Sequence, residues 1–222
     1  MDKEPASVRP VFPKSINFFR PVIGIALAAV PLYIVMLVYY GNSAEATRVG
    51  YEPDQPVAFS HALHAGRLGI DCRYCHTTVE SASHAAIPPT ETCMNCHANI
   101  RAASAKILPV RESHATGMPI EWVRVHDLPD FVYFDHSAHV RRGVGCISCH
   151  GRVDKMETVR QEKPLTMGWC LDCHRAPEAH LRPPELATKM DWVPNEDPFV
   201  LGKRLRDENH VNPSTDCTTC HR

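Results

Sequence analysis

Ten cysteines stand in five pairs, and a histidine closes every pair: Cys72-Arg-Tyr-Cys75-His76, Cys93-Met-Asn-Cys96-His97, Cys146-Ile-Ser-Cys149-His150, Cys170-Leu-Asp-Cys173-His174 and Cys217-Thr-Thr-Cys220-His221. On a helical turn, positions i, i+3 and i+4 share one face. Two thiols three apart can form thioether bonds to the vinyl groups of one porphyrin, and the next histidine can give its ring nitrogen to the iron. Five disulfides or a set of zinc sites are the alternatives for ten cysteines. Zinc would take the cysteines themselves as ligands and would not need a histidine after each pair. The fivefold spacing points to five covalently bound haem c groups.

Nine histidines remain after the proximal ones: His61, His64, His84, His114, His126, His136, His139, His180 and His210. A haem with one protein ligand keeps an open coordination site, whereas a second ligand suits it to electron transfer. Nine histidines are enough to close all five irons. The pattern F-x-H-x-x-H occurs twice, as Phe59-Ser-His61-Ala-Leu-His64 and Phe134-Asp-His136-Ser-Ala-His139. Its first histidine lies 11 and 10 residues before the following cysteine pair.

In this feature the chain resembles the class III multihaem cytochromes. The resemblance implies that the first histidine binds the iron of the following motif and the second reaches a neighbouring haem. His61 would then close the Cys72/Cys75 site and His136 the Cys146/Cys149 site. His64 and His139 would close the sites at Cys93/Cys96 and Cys170/Cys173. One haem, at Cys217/Cys220 or wherever the pairs do not reach, is left to Met167, Met156 or His126. Methionine ligation would raise its potential, although methionine is also a common core filler. His84, His114, His180 and His210 belong to no repeated motif and read as solvated or structural.

The elements that carry these groups must be short. The 222 residues include 19 prolines and 14 histidines, with 44% hydrophobic content. So many prolines argue against long helices or a large sheet. The expected fold is therefore mainly α and irregular: short helices and loops packed around haems, after one N-terminal transmembrane helix. A helix is expected from Pro88-Pro89-Thr90 through Cys93 to about Ala103, and another from Pro198 to near Asn209. The repeat suggests a two-haem module over 42–105, a connecting segment over 106–133 and a three-haem module over 134–222. A formal charge of −1 gives no electrostatic case for nucleic acid. Arg141, Arg142 and Arg175 are candidate partners for haem propionates.

Residues 21–41 read as a transmembrane anchor. Val22 to Tyr40 is 19 uncharged residues, which span roughly 28 Å as a helix, close to a bilayer core. Pro31 lies inside and is expected to kink the helix. Lys3, Arg9, Lys14 and Arg20 precede it, so residues 1–20 are expected in the cytoplasm and the haem domain in the periplasm. A cleaved signal peptide, with Ala44-Glu45-Ala46 as the cleavage site, is the rival; the apolar run exceeds the usual signal length.

The anchor, the motifs grouped two plus three, "WVRVHDLPDFVYFDHSAH", "GVGCISCHG", "PLTMGWCLDCHR" and a terminal "CTTCHR" together resemble one family over essentially the full length. It is the membrane-anchored pentahaem cytochrome c subunit of bacterial alternative complex III. The resemblance implies an inner-membrane quinol oxidoreductase in which this subunit relays electrons. Its partners would be an iron–sulfur subunit, polytopic quinol-binding subunits, and a monohaem or soluble periplasmic cytochrome acceptor. No residue reads as catalytic. An anchored quinol dehydrogenase feeding a periplasmic reductase, a catalytic multihaem reductase and a purely structural subunit are the competing readings.

Overall fold

A computed structural model describes residue 13 and residues 15–222; the basic flank at Lys3, Arg9 and Lys14 lies outside the described residues. The chain divides into two compact units, one ending at Ala46 and one running from Thr47 to Arg222.

In the first unit a single helix spans Ile16–Gly41, 26 residues, or about 39 Å. It begins five residues before the expected span and runs unbroken through Pro21 and Pro31. No residue of the helix is buried, and Phe18, Leu27 and Leu32 are each 72% exposed. A helix apolar on every side hides no stripe against a core, which is the pattern of a lipid-facing span. By length and composition it can cross a membrane. The Asn42 side chain donates to the Val38 carbonyl at 2.8 Å and the Ser43 hydroxyl to Tyr40 at 2.6 Å. These bonds satisfy carbonyls orphaned at the helix end.

The second unit is built from short helices and turns, with no strand among the described residues beyond isolated bridges at Val132–His221 and Val144–Leu181. Four of the five cysteine motifs have their own short helix or lie within one: Cys72–Cys75, Thr90–His97, Met167–Arg175 and Cys217–Cys220. The remaining motif enters the helix Ile147–His150 from its cap, Cys146. Side-chain caps start several of these turns: Asp71 accepts from the Arg73 amide and Thr166 from the Trp169 amide.

The helix at Thr90 stops at His97, short of the expected Ala103. His97 turns its Nδ1 onto the Ile100 carbonyl at 2.9 Å, and Arg101 takes φ of 52°. A left-handed residue cannot continue a right-handed helix. The helix Leu108–Thr116, inside the segment read as a connector, has Pro109 in its first turn and Gly117 at φ 72° beyond its last residue. That pair of signals was present in the sequence. This helix packs against Thr90–His97.

The helix Pro198–Glu208 ends within a residue of expectation; Asp197 caps it by accepting from the Phe199 and Val200 amides at 2.9 and 3.2 Å. Gly202 lies against the Glu178 carbonyl, where a Cβ would collide. Leu201 and Leu205 join Leu181 and Val211 in one small core; Val79, Val140 and Ala187 form another. Apolar packing is thus divided into patches between the motif turns.

Candidate haem sites

The two F-x-H-x-x-H stretches adopt the same local geometry. Phe59 stacks on His64 at 4.4 Å and meets His61 edge-on at 4.8 Å and 85°. Phe134 stacks on His139 at 4.6 Å and meets His136 edge-on at 4.7 Å and 85°. One aromatic ring therefore contacts and orients two imidazoles in each repeat. The phenylalanine was visible in both repeats, but its orienting role needed the geometry. After His61 the backbone makes a wide π-helical turn over Ala62–Arg67, a form that recurs at functional sites.

Most of the histidines have one ring nitrogen fixed. Nδ1 donates to a backbone carbonyl in His76 (Ala86, 2.8 Å), His97 (Ile100, 2.9 Å), His174 (Ser214, 2.7 Å) and His221 (Phe131, 3.4 Å). The same holds for His64 (Ser60, 2.8 Å), His136 (Ser83, 2.8 Å) and His139 (Asp135, 2.7 Å). This fixes the tautomer and leaves Nε2 free to bind metal. His61 differs, because its buried Nδ1 has no hydrogen-bond partner. His150 differs too: its Nδ1 bonds to His126 Nε2 at 3.3 Å.

Imidazoles of upstream and motif histidines approach one another in pairs, at interplanar angles of 61°, 9° and 42° for His64–His97, His136–His150 and His139–His174. Ring centres lie 6.1 Å apart for His64 and His97, 6.4 Å for His136 and His150, and 6.1 Å for His139 and His174. Two imidazoles bound in line to one metal at about 2 Å each would have centres about 6 Å apart. The donor set and spacing of these three pairs therefore fit an iron between the rings. For His61, burial pushes the ring pKa down to about 4, with His76 the next largest cause. For His150, burial pushes it down to about 3, with His126 and His136 next. Both rings are thereby kept neutral, the form that binds metal.

The alternative ligands occupy different surroundings. Met156 is 3% exposed and sits in the core, its carbonyl accepting from the Ala62 amide at 2.9 Å. Met167 is 67% exposed at the start of its helix. His126 stands against His150, ring centres 4.4 Å apart. Of the other histidines, His84 bonds to Ser83 at 3.0 Å and His114 lies 3.9 Å from Glu91. Arg175 lies 3.6 Å from Asp172, and Arg142 donates to the Asn209 carbonyl.

Neighbouring motifs are tied in an order that differs from the chain. Asn95 of the second motif donates to Tyr74 of the first at 3.1 Å. The first and third meet at one short segment: the Cys146 amide donates to Ala187 at 3.0 Å, and the Cys72 thiol to Thr188 at 3.9 Å. The neighbouring Cys72 sulfur, followed by burial, pushes the Cys146 thiol pKa up. The third and fourth are spanned by the helix His136–Val140, whose two histidines face one motif each. Burial pushes the Cys149 thiol up to about 11, helped by the Cys173 and Cys170 sulfurs. The fourth and fifth meet at Ser214, whose carbonyl takes the His174 Nδ1 bond while its hydroxyl lies 2.9 Å from Thr219. The spatial order is second, first, third, fourth, fifth. Cys96 and Cys217, at the two ends of that order, are the exposed cysteines.

A helical, strand-free unit carrying five cysteine pairs, each closed by a histidine, is that of a multihaem c-type cytochrome. The sequence matches the family described as cytochrome c7 and related cytochrome c over residues 57–114 and 132–222, and the chain belongs to that family. It is also 30% identical over 125 residues to a Nitratidesulfovibrio vulgaris (strain Hildenborough) protein named menaquinone reductase, multiheme cytochrome c subunit. That similarity takes in 55% of this chain and 59% of the relative, so the match covers less than two thirds of the relative's length.

Proposed function

We propose that the chain carries five haem c groups and relays electrons within a membrane-bound quinol:acceptor oxidoreductase. The observation that supports this best is the set of three imidazole pairs with ring centres 6.1–6.4 Å apart. The cysteine pairs fasten each ring, and His76, His97, His150, His174 and His221 are the proximal ligands. His61, His64, His136 and His139 close four irons in the order given by the class III resemblance. Met167 closes the fifth, with Met156 left to packing. Bound there, haem c supplies one-electron exchange at iron. The chain's residues hold the rings at fixed spacing, and no side chain is assigned to substrate conversion.

The same reading makes residues 21–41 a membrane anchor, with 1–20 cytoplasmic and the haem unit periplasmic. Residues 42–105 form a two-haem module, 106–133 its connection and 134–222 a three-haem module. Haems held at these motifs would stand in the spatial order above, and the exposed Cys96 and Cys217 would make the second and fifth motifs the accessible ends for one-electron exchange. The name of the relative, a menaquinone reductase subunit, supports work with a quinone. The motif grouping supports alternative complex III, with iron–sulfur, polytopic quinol-binding and monohaem cytochrome partners.

Rapid mixing of the purified complex with quinol, followed at haem c wavelengths, tests this reading. Haem c reduction within turnover is expected; a complex that turns over with these haems unreduced would refute it. Quinol oxidation by the isolated chain would favour an anchored quinol dehydrogenase instead.

A further inference from the structure

The third motif is held differently from the rest. The proximal histidines of the other four place Nδ1 on a backbone carbonyl, whereas His150 places it on the imidazole of His126 at 3.3 Å. His126 lies between the two stretches that match the cytochrome family, 57–114 and 132–222. It is nevertheless firmly placed. Gln55 donates to the Val123 carbonyl at 2.9 Å and accepts from the Val123 amide at 3.0 Å. Arg124 binds Asp127 at 2.9 Å, and Val125 is buried. The chain on both sides of His126 is thus pinned.

We propose that His126 is a positioning residue that lowers the reduction potential of the haem iron bound by His150 at the Cys146/Cys149 site. The inference rests on the reading of His150 as a haem ligand. With Nε2 of His150 on iron, its Nδ1–H donates and His126 Nε2 accepts. An imidazole nitrogen is a more basic acceptor than a peptide carbonyl. It draws the proton further from His150, makes that ring a stronger electron donor, and favours ferric iron. Because this site is the middle one in the spatial order, its potential sets how readily electrons cross between the two ends of the line. This gives the cysteine-free segment around His126 a role that neither the motifs nor the family match assigns.

The test is a potentiometric titration of the full-length, haem-loaded protein, followed by absorbance and electron paramagnetic resonance, with haem counted in each preparation. His126→Leu removes the acceptor; His126→Gln retains one in its side-chain oxygen. In His126→Leu, one haem of five should shift its reduced-to-oxidised ratio about tenfold toward reduced at fixed potential, about 59 mV for one electron. The other four should stay in place, and His126→Gln should move the same haem by a smaller amount. Five bound haems with no midpoint moved in His126→Leu would overturn the proposal. So would a glutamine variant that moves as far as leucine. If His126→Leu does not load five haems, His126→Gln decides: full loading with a small upward shift supports the proposal, and lost loading or an unmoved midpoint overturns it. His150→Gly separates the underlying reading. If all five haem spectra survive that change, His150 is not a ligand, and the fault lies there rather than with His126.

Discussion

The imidazole of His139 stands 6.1 Å, centre to centre, from that of His174, and each ring has its Nδ1 turned onto a backbone carbonyl, those of Asp135 and Ser214. His139 comes from an upstream repeat and His174 from a cysteine motif, so the pairing joins distant parts of the chain. Removing one partner should open one iron. His139→Ala is expected to keep five attached haems while one becomes high-spin and binds carbon monoxide. A variant with five low-spin haems and no carbon monoxide binding would remove His139 from the ligand set.

Phe134 contacts both His136 and His139, which face different motifs. Phe134→Ala should therefore disturb two haem signals together. An aromatic pair of this kind contributes about 0.5–1.5 kcal/mol beyond its buried area, so a lower melting temperature should accompany the spectral change. The measurement is paramagnetic resonance of the ferric protein, where a single altered haem would contradict the shared clamp.

Asp71 caps the Cys72–Cys75 helix and also accepts from Thr188 at 2.9 Å, beside the segment that holds Cys146. Asp71→Ala should cost about 1 kcal/mol through the cap, read as a lower melting temperature. Its hydrogen bond with Arg73, more than any other cause, holds the carboxyl well below the usual range. A depressed carboxylate stabilises the fold fully above its unfolded value of about 3.9 and loses that contribution as pH falls below it. The stability gap between wild type and Asp71→Asn should therefore be constant near neutral pH and shrink on acidification below about 4. Melting curves across that range check the sign.

The methionines separate by burial. Met156 is 3% exposed and Met167 is 67% exposed. Met156→Ala should destabilise by about 2–5 kcal/mol, as expected for a truncated core side chain, with haem spin states unchanged. Met167→Ala should leave stability nearly unchanged and convert one haem to high spin. The reverse outcome would exchange their roles.

The five cysteine–histidine motifs could be read directly from the sequence, because their spacing alone brings two thiols and an imidazole to one turn of chain. The two upstream repeats were legible as repeats, and their recurrence marked His61, His64, His136 and His139 as a set. Their partners came from family resemblance, because each pairing joins residues distant in the chain. The C-terminal end of the Thr90–His97 helix was misjudged because Arg101 takes a left-handed conformation that no residue type in that stretch demands. The helix Leu108–Thr116 was announced by Pro109 and Gly117 but had no apolar periodicity to draw attention to it. The bond from His126 to His150 had no sequence signal at all. It depends on a pinned loop brought against a motif twenty-odd residues further on, and only geometry shows it.

Five haems are expected in the order second, first, third, fourth, fifth, with paired imidazoles across the irons. A crystal or cryo-electron microscopy structure of the haem-loaded protein tests it most directly. His64 with His97, His136 with His150 and His139 with His174 are expected on shared irons, with the second and fifth motifs at the two ends. Irons arranged in chain order, or those three pairs divided among different irons, would contradict it.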